Sequence, residues 1–186
     1  MSSAYLGLSA EPARCCRYFL SGFSSDATAA PNTLRQMKRL VRAAVADQEF
    51  VYFVRQLIAG VPARDEMAQV NQLRAWLATH FQFVRDPRSR EDVRDPRFLV
   101  SKIVKDWKAL GDCDDAATLS AALAAAIGFP ARFVAVAFGT DPRFRHVYTI
   151  VTARDVNGFA VDREMDVTRT AGRPLPKVTR AIALTV

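Results

Sequence analysis

The sequence predicts an α+β domain, and three observations carry that expectation. Helical periodicity dominates from Asn32 to Trp107, an Ala-rich helix follows over about Cys113–Ile127, and strand-like runs occupy the chain from Ala131 onward. The chain has 186 residues, half of them hydrophobic, which is enough for one domain with a full core. The apolar content excludes a disordered chain, and ordinary numbers of Gly and Pro exclude collagen-like or coiled-coil composition.

Taken in order, residues 1–31 read as an irregular N-terminal segment and 32–186 as a single domain. That domain divides into a helical lead (32–79), a core (80–166) and a C-terminal extension (167–186). Asn32 is placed to cap the first helix, whose apolar face is Leu34, Met37, Val41, Ala44 and Val45. A second helix is expected from about Asp47 to Ala59, stopped by Gly60 and Pro62. A third carries Met67, Val70, Leu73 and Leu77, and Phe81–Val84 looks briefly extended. Asp95-Pro96 pairs an N-cap with a proline at N1, and the helix it starts has Leu99, Val100, Ile103, Val104 and Trp107 as its apolar members. Strands are expected at Ala131–Phe138, Arg145–Thr152 and Phe159–Val161, with a last short one near Ala181–Val186.

The candidate site begins at Cys113, in the first turn of the Ala-rich helix. Unsatisfied N–H groups there favour a thiolate and supply one donor of an oxyanion hole. Asp112, Asp114 and Asp115 oppose the thiolate, so a cation is needed as its partner. His146, 33 positions downstream at a strand start, can take the thiol proton, and Asp162 on the next strand can orient the ring. The catalytic set is thus Cys113, His146 and Asp162. Register decides the last member. A two-residue Asn157-Gly158 turn would put Asp162 on the face opposite His146, whereas an odd-length loop or a bulge restores a shared face. With the tight turn, another orienter such as Asp166 is required.

Gly-Asp-Cys-Asp-Asp at 111–115, Gly128-Phe129-Pro130-Ala131-Arg132, His146-Val147-Tyr148 and Phe159-Ala160-Val161-Asp162 resemble the core of the transglutaminase-like superfamily, a branch of papain-like folds. The resemblance covers roughly residues 80–166. It implies a nucleophile helix packed on a small antiparallel sheet, and acyl transfer from an amide through a thioester on Cys113. A peptidase or amidase is expected ahead of a cross-linking transglutaminase, with a protein or peptide as substrate. Some members of the family place an indole in the oxyanion hole, which makes Trp76, Trp107 and Gln82 candidates for the second donor. The helical lead also resembles short members encoded by tailed bacteriophages. A docking role in a phage particle, with phage structural proteins as partners and little turnover, is therefore the alternative.

The remaining features have plainer readings. His80 falls near a helix end, where it meets the C-terminal dipole. Cys15 and Cys16 lack the partners of a zinc site, so neither a metal nor a cofactor is expected. The net charge of +7 fits an acidic protein surface better than nucleic acid, because Arg85–Arg97 is interleaved with Asp86, Glu91, Asp92 and Asp95. The first ten residues lack a secretory pattern, and Ala116–Ile127 is too short to span a bilayer. A cytoplasmic protein, virion-associated if phage-encoded, is the expectation.

Overall fold

The computed structural model describes residues 17–20, 29–86, 91–169 and 175–186. Cys15 and Cys16 lie outside the described residues. In chain order the elements are β1 (Arg17–Leu20), α1 (Ala29–Val45), α2 (Gln48–Leu57), α3 (Glu66–His80), β2 (Phe81–Phe83), β3 (Glu91–Arg94) and α4 (Pro96–Asp106). They continue with β4 (Ala109–Gly111), α5 (Cys113–Ala126), β5 (Ala131–Phe138), β6 (His146–Arg154), β7 (Ala160–Glu164) and β8 (Val178–Thr185).

Local chemistry explains where the helices start. Asp47, Asp65, Asp95 and Asp112 cap α2, α3, α4 and α5, accepting from the backbone N–H of Phe50, Ala68, Arg97 and Asp114. Each such cap satisfies a donor that the helix itself cannot, worth about 1 kcal/mol. Helix α1 departs from the expectation at Asn32. It starts at Ala29, because Pro31 costs nothing in a first turn. The Asn32 side chain instead accepts from Arg35 Nη1 at 2.7 Å.

Helix α5 is the hub. Ala117, Leu119, Ala121, Ala122, Leu123 and Ala124 are all at most 1% exposed, as are the polar Thr118 and Ser120, so this stretch of the helix is enclosed by its neighbours on every side. Methyl-sized side chains let α1 and β6 approach its backbone closely. Its end is a Schellman motif: Phe129 N–H donates to Ala124 O and Gly128 N–H to Ala125 O, with Gly128 at φ 90°.

The main sheet has the order β7-β6-β5-β8, antiparallel throughout. Only four residues separate α5 from β5, so β5 runs back along the helix and β6, antiparallel to β5, runs with it. His146 pairs with Val136 near the end of β5 and therefore lies at the N-terminal end of α5. Alternation along β6 turns Val147, Thr149, Val151 and Ala153 inward, all buried, and the Thr149 hydroxyl donates to Ala117 O at 2.7 Å.

Two short ladders complete the fold. Strand β1 pairs antiparallel with β3, and β2 pairs parallel with β4, placing Gln82 beside Leu110 and Phe83 beside Gly111. Trp107 does not belong to the apolar stripe of α4. It ends that helix in the left-handed region at φ 65° and is 61% exposed.

Candidate active site

Cys113 is the first residue of α5, partly buried, and follows directly on the Asp112 cap. Gly111 precedes the cap because nothing larger fits. A Cβ there would stand 2.7 Å from Asp115 Cβ, inside any ordinary contact. Strands β5 and β6 bring His146 to the same end of the helix.

The acid that meets His146 is Asp166. Its Oδ2 lies 2.6 Å from His146 Nε2, and since an ionised carboxylate only accepts, Nε2 carries the proton. That leaves Nδ1 as the base of the neutral ring. Asp166 is 6% exposed, and its other oxygen accepts from the Thr168 N–H at 3.1 Å and the Thr168 hydroxyl at 2.9 Å. Burial pushes its carboxyl up, but the His146 hydrogen bond and charge, with the Thr168 donors, outweigh that and hold it below the ordinary value. The Tyr148 ring stacks on His146 at 5.9 Å and fixes its other side.

Asp162, expected to orient His146, does not do so. The β6–β7 hairpin has the odd-length connection the sequence called for: Gly158 at φ 84° donates to Asp155 O, and Asp155 N–H donates to Phe159 O. Asp162 is therefore on the same face as His146. It stands opposite Thr152, however, six residues along the strand from His146, about 20 Å at the rise of a strand. There it accepts from Arg132 Nη2 at 2.5 Å and from Thr152 Oγ1 at 2.8 Å, and both bonds lower its pKa. The parity was right and the distance was wrong. Asp166 falls opposite Tyr148, diagonally next to His146.

The oxyanion candidates separate just as clearly. Trp76 is buried between Phe53 and His80, with ring centroids 5.6 and 5.2 Å away, and is a core residue. Trp107 packs edge-on against His80 at 4.8 Å, and its carbonyl accepts from His80 Nδ1 at 3.0 Å. That contact, not a catalytic one, occupies His80 at the end of α3. Gln82 is exposed beside Leu110, three residues before Cys113.

Carboxylates crowd the start of α5. Asp115 accepts from the Arg94 N–H at 2.7 Å and from its guanidinium, which also lies 3.5 Å from Asp86 and Asp92. Burial raises Asp115 to about 7 in spite of Arg94. Burial, then the facing Asp112 carboxyl, holds Asp114 well above the usual range. One oxygen from each of Asp112, Asp114 and Asp115 lies within 4.8 Å of the others, a group able to hold a metal ion.

The sign of the resulting pH dependence follows from these shifts. Both acids bind their proton more tightly folded than unfolded. Between 3.8 and about 7 the native state therefore holds more protons, and stability falls as pH rises through that window. The lowered carboxyls, Asp166 among them, act below it. Thermal melts from pH 5 to pH 8 are expected to show a falling Tm, with a shallower slope in Asp114→Asn. A Tm that climbs across the same range contradicts the assignment.

A groove of about 660 Å³ adjoins the site at Gly111, with Val84, Phe98 and Leu110 as apolar lining and Arg85 and Lys108 among its cations. Among the described residues, no helix is long and apolar enough to cross a membrane.

Comparison with known proteins adds the family. No curated protein matches the chain. Among solved structures, a "putative protease" from Parabacteroides distasonis is similar, with a TM-score of 0.49 and 17% identity, over 70% of this chain. The chain spans 25% of that protein's length. The model of the transglutaminase-like superfamily matches residues 53–164, more than half of the sequence, and takes in Cys113 and His146. On that match, the chain belongs to the transglutaminase-like superfamily.

Proposed function

We propose that this chain is a cysteine-dependent acyl-transfer enzyme, a peptidase or amidase acting on a protein or peptide amide through a thioester on Cys113. The observation that carries the reading is the His146–Asp166 pair, seated at the N-terminal end of the helix that begins with Cys113. Nδ1 of His146 takes the thiol proton, and the imidazolium, balanced by Asp166, stabilises the thiolate. Sulfur attacks the amide carbonyl, and the Cys113 N–H supports the oxyanion with Gln82 as the candidate second donor. The C–N bond then breaks as His146 returns the proton to the leaving amine. Water, deprotonated by the same nitrogen, attacks the thioester and releases the acid and the thiol.

Trapping tests this directly. Incubation with an activated acyl ester, followed by acid quench and peptide mass mapping, is expected to find the acyl mass on Cys113. It should be absent in Cys113→Ala and strongly reduced in His146→Ala. An acyl group spread over surface lysines, with Cys113 unmodified, refutes the proposal.

A further inference from the structure

Strands β2 and β4 turn one face to the core and the other outward, toward the groove that ends at Gly111. Phe81, Ala109 and Gly111 are buried, whereas Gln82, Val84, Lys108 and Leu110, offset from them by one, are exposed. Val84 is 44% exposed and Leu110 54%, and Phe98 of α4 joins them in lining the groove. An open apolar strip thus begins three residues before Cys113.

Charge along this strip is unevenly matched. Asp86 accepts from the Asp92 N–H at 2.7 Å and lies 3.5 Å from the Arg94 guanidinium, which also serves Asp115. Asp106 is held by Lys102 at 2.5 Å. Those pairs account for both acids of the lining. Arg85 and Lys108 are left over. Both are exposed, and neither has an ion-pair partner among the described residues. A basic side chain entering the groove would meet two like charges and only acids already engaged. A carboxylate would meet two cations and displace nothing.

We propose that this groove selects acidic peptides, taking a large apolar side chain on Val84, Phe98 and Leu110 and a neighbouring Asp or Glu side chain on Arg85 and Lys108. The proposal rests on the acyl-transfer reading above and names the substrate class for it. The lengths agree. From Gly111 back to Lys108 the wall runs three residues, about 10 Å, which three residues of an extended peptide also span. The apolar side chain therefore comes from beside the scissile bond, and the carboxylate held by Lys108 from about three residues away. The net charge of +7 favours the approach of such a peptide from a distance.

Binding to the full chain carrying Cys113→Ala separates recognition from turnover. Fluorescence anisotropy compares four labelled peptides that differ at two positions: Leu with Glu, Leu with Gln, Leu with Lys, and Gly with Glu. The Leu–Glu peptide is expected to bind about three- to tenfold tighter than the Leu–Gln and Gly–Glu peptides, and the Leu–Lys peptide weakest. Added salt should narrow the gap. Lys108→Gln combined with Arg85→Gln should abolish the charge preference, and Lys108→Glu with Arg85→Glu should turn it toward Leu–Lys. Arg39→Glu with Arg42→Glu, the same charge change on the exposed side of α1, should leave it intact. Circular dichroism confirms folding of each variant. Equal affinities across the charge series, no binding of any peptide, or an equal loss in the α1 control overturns the proposal. Cleavage by the parent chain is read separately. Charge-blind cleavage overturns the groove's role alone, whereas charge-selective binding without any cleavage contradicts the acyl-transfer reading and leaves the recognition standing.

Discussion

Asp166→Ala is expected to lower the rate of acyl-ester hydrolysis by about 10²–10⁴-fold, whereas Asp162→Ala should change it less than about twofold. The contrast rests on one bond. Asp166 accepts from His146 Nε2 at 2.6 Å, fixing the tautomer that leaves Nδ1 free to act as base. Removing it leaves a ring free to turn and an imidazolium with no counter-charge. Asp162 sits on β7 opposite Thr152, six residues along β6 from His146, half-exposed and held by Arg132 and Thr152. Asp166→Asn keeps the shape but lacks the charge, and should fall between the parent and Asp166→Ala. Steady-state kinetics on all three variants, with circular dichroism to confirm folding, make the comparison. Equal losses at 162 and 166 contradict the assignment.

The second large effect is one of stability. Arg94→Met should cost about 3–5 kcal/mol, because it strands buried carboxylates that had one common partner. For a domain of this size that is a drop in Tm of roughly 6–20 °C. Arg94 donates from its backbone and its side chain to Asp115, which is fully buried, and its guanidinium also lies against Asp86 and Asp92. Met restores the volume of the side chain but neither the charge nor the donors. The exposed Arg132–Asp162 pair provides the scale, since its loss in Arg132→Ala should cost at most about 1 kcal/mol. Chemical denaturation of the two variants measures both. Comparable midpoints would mean that the buried acids are neutralised without Arg94.

Much of this arrangement was legible in the residues. The cap at Asp95, the helix starts near Asp47 and Cys113 and the strands from Ala131 onward follow from local chemistry that a sequence displays. Strands β1, β3 and β4 did not, since runs of three or four residues carry no period to read. Trp107 was misread because an apolar stripe does not reveal where a helix ends.

Cys113 and His146 stood out by position, one at a helix start and one at a strand start. The acid was harder. Alternation tells which face a residue occupies but not how far along the strand it lies. Asp162 and Asp166 share a face with His146, and only the register of the Asp155–Phe159 connection separates them. Arg94 is a further case. Nothing in Arg-Asp-Pro-Arg marks its first residue as the partner of an acid 21 positions away, and only the β3–α5 contact does so.

The central claim is that His146, held by Asp166, activates Cys113. The most direct measurement is the rate of Cys113 alkylation by iodoacetamide as a function of pH. The account predicts rapid labelling well below pH 8 in the parent chain and in Asp162→Ala, and loss of that low-pH reactivity in His146→Ala. A Cys113 that stays inert below pH 8 in the folded parent, or that reacts equally well without His146, contradicts it.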